Sequence, residues 1–152
     1  MEKYNVPMRT LTTLAALCVA FSAHAAPTPE AALQQFLQFE LDGGRLQAWP
    51  YQRYLAVPAG YEEPGWDTVH VVQGYQAGAP RCAAARCTLT VTFAYAPTAS
   101  LGAEQVVAHP EGGSEQVEYV AVQQDGQWLL ASSNGTPRVS LAVLKKMLSD
   151  GL

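Results

Sequence analysis

The chain has 152 residues, carries a formal charge of −4, is half apolar (49%) and has only 14% charged residues. Such apolar content excludes a disordered chain, and an acidic balance argues against nucleic acid or an anionic membrane surface as the main partner, since both reward clustered Lys and Arg. The length sets one domain, enough to bury about two-thirds of its unfolded surface in a single core.

Residues 1–25 read as a secretory signal peptide. Lys3 and Arg9 precede an uncharged apolar run through Leu11, Leu14, Leu17, Val19 and Phe21, and Ala23-His24-Ala25 follows as the small-x-small pattern of a cleavage site. The run is well short of the ~20 residues that a helix needs to cross hydrocarbon. Cleavage is expected between Ala25 and Ala26, leaving residues 26–152 as a single domain that is periplasmic or secreted, with no membrane insertion. Cys18 is preceded by Leu17 rather than a small residue, so it reads as part of the discarded segment and not as a lipid attachment site.

Thr28 is a candidate helix cap and Pro29 a first helical residue. Leu33, Phe36, Leu37 and Leu41 then recur at helical spacing until Asp42-Gly43-Gly44. A second short helix is expected over Arg45 to Leu55, interrupted at Pro50, with Trp49 among its packing residues. From Trp66 the pattern changes to strands: Trp66 to Tyr75, and Cys87 to Tyr95. In the latter, Cys87, Leu89, Val91, Phe93 and Tyr95 share one face. Gln105 to Ala108 offers a further short strand. Val117 to Gln123 and Gln127 to Ser133 are joined through Gln124-Asp125-Gly126, a tight-hairpin signal, and Trp128 is expected to be largely buried. Ser140 can cap a closing helix with Leu141, Leu144, Met147 and Leu148 inward. The expected fold is α+β: N-terminal helices packed on a curved antiparallel sheet, with a short C-terminal helix.

These segments resemble the nuclear transport factor 2-like superfamily, the cone-shaped α+β fold that also holds the SnoaL-like and ketosteroid-isomerase-like proteins. The resemblance rests on a first helix ending in Asp42-Gly43-Gly44-Arg45-Leu46, the strand Val69 to Tyr75, the Thr/Val strand, and Tyr119 to Gln123 leading through Asp125-Gly126 into Trp128-Leu129-Leu130. It covers most of residues 26–152. The superfamily includes enzymes, binding modules and proteins of no known role, so the resemblance leaves function open.

Cys82 and Cys87 are the cysteines left after cleavage. An even count in an oxidising compartment reads as a disulfide, and their spacing is not that of thiol oxidoreductases or structural zinc sites. No metal and no cofactor is expected. His70 lies within a strand, and Asp67, three residues before it, falls on the opposite face of a regular strand. His109 sits in a loop beside Glu111. Glu40 flanks the apolar stripe of the first helix, usually the place of a boundary residue. If the protein is an enzyme, His70 is the best general base and Tyr119 a partner for it. No hydrolase, metalloprotease, phosphate-loop or dinucleotide motif occurs. The expected function is a small exported non-catalytic domain that binds a protein or a small molecule. The alternative is a small cone-type isomerase, dehydratase or hydrolase acting on an apolar substrate. A homodimer through the sheet is compatible with either.

Overall fold

The computed structural model describes residues 26–47 and 51–151. The proposed signal segment, Ala25 included, and Trp49 and Pro50 lie outside the described residues. The first helix, α1, runs Pro29–Leu41; Thr28 caps it by accepting the Ala31 N–H at 3.1 Å, and Pro29 begins it. Its buried stripe is Leu33, Phe36, Leu37 and also Glu40, one turn further on. Beyond α1 the expected second helix is replaced by two short 3₁₀ turns, Gly44–Leu46 and Tyr51–Arg53. Gly44 is required by packing: a Cβ there would lie 2.2 Å from the Phe39 ring.

Six strands follow: β1 (His70–Ala77), β2 (Arg81–Ala83), β3 (Arg86–Tyr95), β4 (Gly113–Gln124), β5 (Gln127–Leu130) and β6 (Arg138–Ser140). They form one strongly curled sheet in the order β5-β4-β3-β1-β6, with β2 paired to the start of β3. The sheet is antiparallel except at β6, which joins β1 in parallel and makes it mixed. Ser140 ends β6 and at once caps α2 (Leu141–Ser149), accepting the Val143 N–H at 3.3 Å. The fold is therefore α+β, as the patterning implies. Gln105 to Ala108 forms no strand; Val107 makes an isolated bridge to Val69.

The concave face carries the main core. Leu89, Val91, Phe93, Tyr119, Ala121 and Leu130 meet Leu33, Phe36 and Leu37 of α1, and the alternation of Cys87 to Tyr95 is inward as expected. A second, smaller core covers the other face of β1 and β6, where Val69, Val71 and Val139 pack on Leu144 of α2. Trp128 is only half-buried. It shares the face of Leu130 but sits two residues nearer the hairpin turn, at the rim of the core on the four-residue outer strand. Asp125 (φ +51°) and Gly126 (φ +79°) form the turn itself, a pair of left-handed residues that suits a tight hairpin.

Candidate functional site

The β2–β3 hairpin holds Cys82 directly opposite Cys87, and the two are disulfide-bonded. A bonded pair is compatible with a location outside the cytoplasm. No helix among the described residues is long and apolar enough to cross a membrane.

The ionisable residues converge elsewhere, at the end of the concave face where β1, β3, β4 and β6 meet α1. Sheet register explains the convergence. His70 pairs with Arg138 across β1 and β6, and Phe93 with Glu115 across β3 and β4; alternation then places Tyr95, Glu115 and Tyr119 on the same concave side. Glu40 descends from α1 onto this group. One Glu40 oxygen, Oε1, receives the Arg45 guanidinium and, at 3.1 Å, the backbone N–H of Arg138. Arg45 also donates to Glu63 at 3.0 Å. Both guanidiniums turn toward Asn134-Gly135, a left-handed turn whose carbonyls face inward: Arg45 donates to Gly135 O at 2.6 Å and Arg138 to Asn134 O at 3.1 Å. Asn134 thus serves as a turn residue, its amide donating to Glu118 O.

Aromatic contacts close the other side. His70 stacks on Tyr95 (4.8 Å between centroids) and on His109 (5.0 Å), while Arg138 lies 4.6 Å over the Phe93 ring. The Tyr95 hydroxyl donates to Glu115, which Arg138 also reaches at 3.4 Å. Tyr119 packs against Phe36 and Phe93.

Burial sets the chemistry of this cluster. Glu40 and Tyr119 are 0% exposed, Arg138 3% and His70 9%. Desolvation raises the Glu40 pKa against the pull of Arg45 and Arg138. His70 is pushed down to about 4, first by burial and then by Arg138 and His109, with Glu115 opposing. Burial and the bond to Glu115 push Tyr95 up to about 12, and burial with the facing Glu40 raises Tyr119 as well. The hydrogen bond from Tyr95 lowers Glu115. At neutral pH His70 is therefore an uncharged imidazole and both phenols keep their protons.

His70 and Tyr119, the pair the sequence offers for catalysis, fall on one face with Arg138 as their common electrostatic neighbour. Both are enclosed by packed side chains. Glu40 is not a boundary residue but the buried centre of an ionic network. Tyr95 was expected on the inward face of its strand, whereas Arg45, Arg138 and Glu115 were given no role by sequence reasoning. The strand alternation, had it been extended two residues upstream from Val117, would have placed Glu115 on the inward face.

Concavities open on the surface instead, two of them among the described residues. One, of about 610 Å³, lies between Tyr51, Tyr61 and Trp66, with the Arg45 guanidinium 5.3 Å over the Trp66 ring. The other is a groove of about 970 Å³ between α1, the Tyr51–Arg53 turn and β5. No protein family, curated protein or solved structure matches this chain.

Proposed function

We propose that the chain is a nuclear transport factor 2-like domain exported to the periplasm, where it acts as a non-catalytic binding protein after loss of residues 1–25. The observation that carries this reading is where polarity and access part company. Glu40, Tyr119, Tyr95, Arg138 and His70 are buried in the core, with Glu115 and His109 exposed at its edge, while the groove between α1 and β5 lies outside this cluster. A general base must come within about 2.6–3.2 Å of the proton it takes, and His70 at 9% exposure is stacked on both neighbours. Two features support export. The Cys82–Cys87 disulfide suits an oxidising compartment. Ala26, the residue that cleavage would make N-terminal, is tied to the fold through its carbonyl, which accepts the Trp128 N–H at 3.1 Å.

Native mass spectrometry of protein purified from the periplasm tests the reading. A chain beginning at Ala26 and carrying a retained small molecule or partner is the expected result, and His70→Ala should retain that cargo. An intact Met1 would refute export. A turnover that falls a hundredfold or more in a folded His70→Ala or Tyr119→Phe protein would replace binding with cone-type catalysis.

A further inference from the structure

We infer that the groove between α1 and β5 binds a neutral oligosaccharide; the inference rests on the binding-domain reading above and names its ligand class. Six of the chain's twelve glutamines line this one groove. Three lie on the exposed face of α1, and Gln47, Gln52 and Gln127 are brought beside them from elsewhere in the chain. Gln34, Gln35 and Gln38 project from the outer face of α1, and Gln127 approaches from the hairpin end of β5. Among the described residues, the side-chain amides of Gln34, Gln35 and Gln127 have no hydrogen-bond partner, while Gln38 donates to Asp42 and Gln52 to Pro58 O. Each amide offers an acceptor oxygen and two donor hydrogens on one rigid plane. That pattern matches a pair of neighbouring hydroxyls, each able to donate and accept.

The walls between the amides are aromatic. Tyr54 stacks on Phe39 at 4.5 Å, and half-buried Trp128 stands at the β5 side. With Arg53 5.8 Å over the Tyr54 ring, half-buried Trp128 is the aromatic surface offered to the C–H face of a pyranose ring, whose hydroxyls point sideways. The charged lining residues are Asp42 and Arg53, one of each sign, so the groove selects neither a cation nor an anion. At about 970 Å³ it lies at the upper end of small-ligand sites, roughly 300–1,000 Å³, with room for several linked rings.

An extended peptide is the competing occupant, and the backbone disfavours it. Peptide capture at a sheet margin needs a free strand edge. Here the outer edge of β5 is already engaged: Trp128 N–H donates to Ala26 O, Leu130 N–H to Tyr54 O at 2.9 Å, and Ala56 N–H to Leu130 O at 2.8 Å. A ligand in the groove must be held by side chains, which is how a saccharide is held.

The test is a two-dimensional NMR titration of the mature protein with chitotetraose, maltotetraose and cellotetraose, read at the glutamine side-chain amides. The expected result is saturable shifts of Gln34, Gln35 and Gln127 with at least one tetrasaccharide. Gln35→Ala, at an exposed position of α1, should weaken that binding about tenfold, a change of ~1.4 kcal/mol. Trp128→Ala should weaken it as much or more. Gln116→Ala, on the distant face of β4, should leave it unchanged. No saturable shift with any of the three at roughly 10 mM, well above a millimolar Kd, would overturn the inference. So would saturation by the neutral peptide acetyl-Ser-Ala-Ser-Ala-amide without any by saccharide, an outcome that leaves the binding-domain reading standing. Loss of turnover in His70→Ala would sink that reading independently of either result.

Discussion

His70 should make the domain sensitive to mild acid. Its folded pKa is about 4, against roughly 6.5 for an unfolded histidine. Between those values the folded protein binds fewer protons than the unfolded chain. The contribution is thus complete above pH ~6.5 and is lost as pH falls through about 4. Linkage over this interval gives a loss of about 2 kcal/mol between pH 7 and pH 5, and about 3 kcal/mol by pH 4. That is a large part of the 5–15 kcal/mol typical of a domain. The groups facing the ring also titrate or carry charge: Arg138, His109 and Glu115 directly, and Glu40 one step away. Glu40 acts in the opposite sense, because its raised pKa favours the folded state in acid. A variant is therefore the proper reference. His70→Phe keeps a ring between Tyr95 and His109 and removes the titrating proton. Urea denaturation of both proteins at pH 7 and pH 5 should show the wild type losing about 2 kcal/mol more than the variant. At pH 7 the two should be close, since the buried Nδ1 of His70 has no hydrogen bond to lose among the described residues. Equal losses on acidification would refute the reasoning and mean that water reaches the imidazole.

Other outcomes follow from the packing and are measurable by chemical denaturation unless stated. Glu40→Ala removes the buried acceptor of the Arg45 guanidinium and of the Arg138 backbone N–H and should cost about 3–5 kcal/mol, with Glu40→Gln costing less because it keeps an acceptor for the Arg138 N–H. Leu130→Ala should cost about 2–5 kcal/mol, and more than Trp128→Ala, because Leu130 is fully buried and Trp128 only half so; the reverse order would mean β5 is shifted in register. Replacing Cys82 and Cys87 together by Ser should lower stability by about 2 kcal/mol in the chain-entropy account, and thiol titration of the unreduced, denatured mature protein should find no free thiol. Gly44→Ala must displace the Phe39 ring and should cost about 1–3 kcal/mol while also disturbing the glutamine groove that Phe39 lines.

What could be read from the residues was whatever repeats locally. α1 announced itself through Thr28, Pro29 and the Leu33–Phe36–Leu37 stripe, and β3 through its alternation. Asp125-Gly126 marked the β4–β5 hairpin, and Ser140 the start of α2. β6 was missed because Arg138–Ser140 is too short to show a period, and its pairing with β1 lies about seventy residues away in sequence. The ionic centre was missed for the same reason. Arg45 and Arg138 look like surface residues in any local window, and only the closure of the sheet places both against Glu40. Glu40 itself obeyed the helical spacing of the stripe, but a carboxylate at an apolar position reads as a boundary until its partners are known. The groove was equally illegible, since its glutamines come from α1, the loop after it and the far hairpin.

The bond from the Arg138 backbone to Glu40 joins positions 98 residues apart, and this bears on the order in which the molecule can assemble. Until β6 is available, α1 holds a carboxylate facing the core with only part of its compensation, and the margin of β1 over His70–Val72 lacks its strand. Contacts of such long range delay folding, because closure entropy must be met before they contribute. The last strand and the helix it caps thus act as a latch that only a nearly finished chain can throw. A chain crossing a membrane in the unfolded state would gain from that delay, remaining threadable while its C-terminal end is still being made.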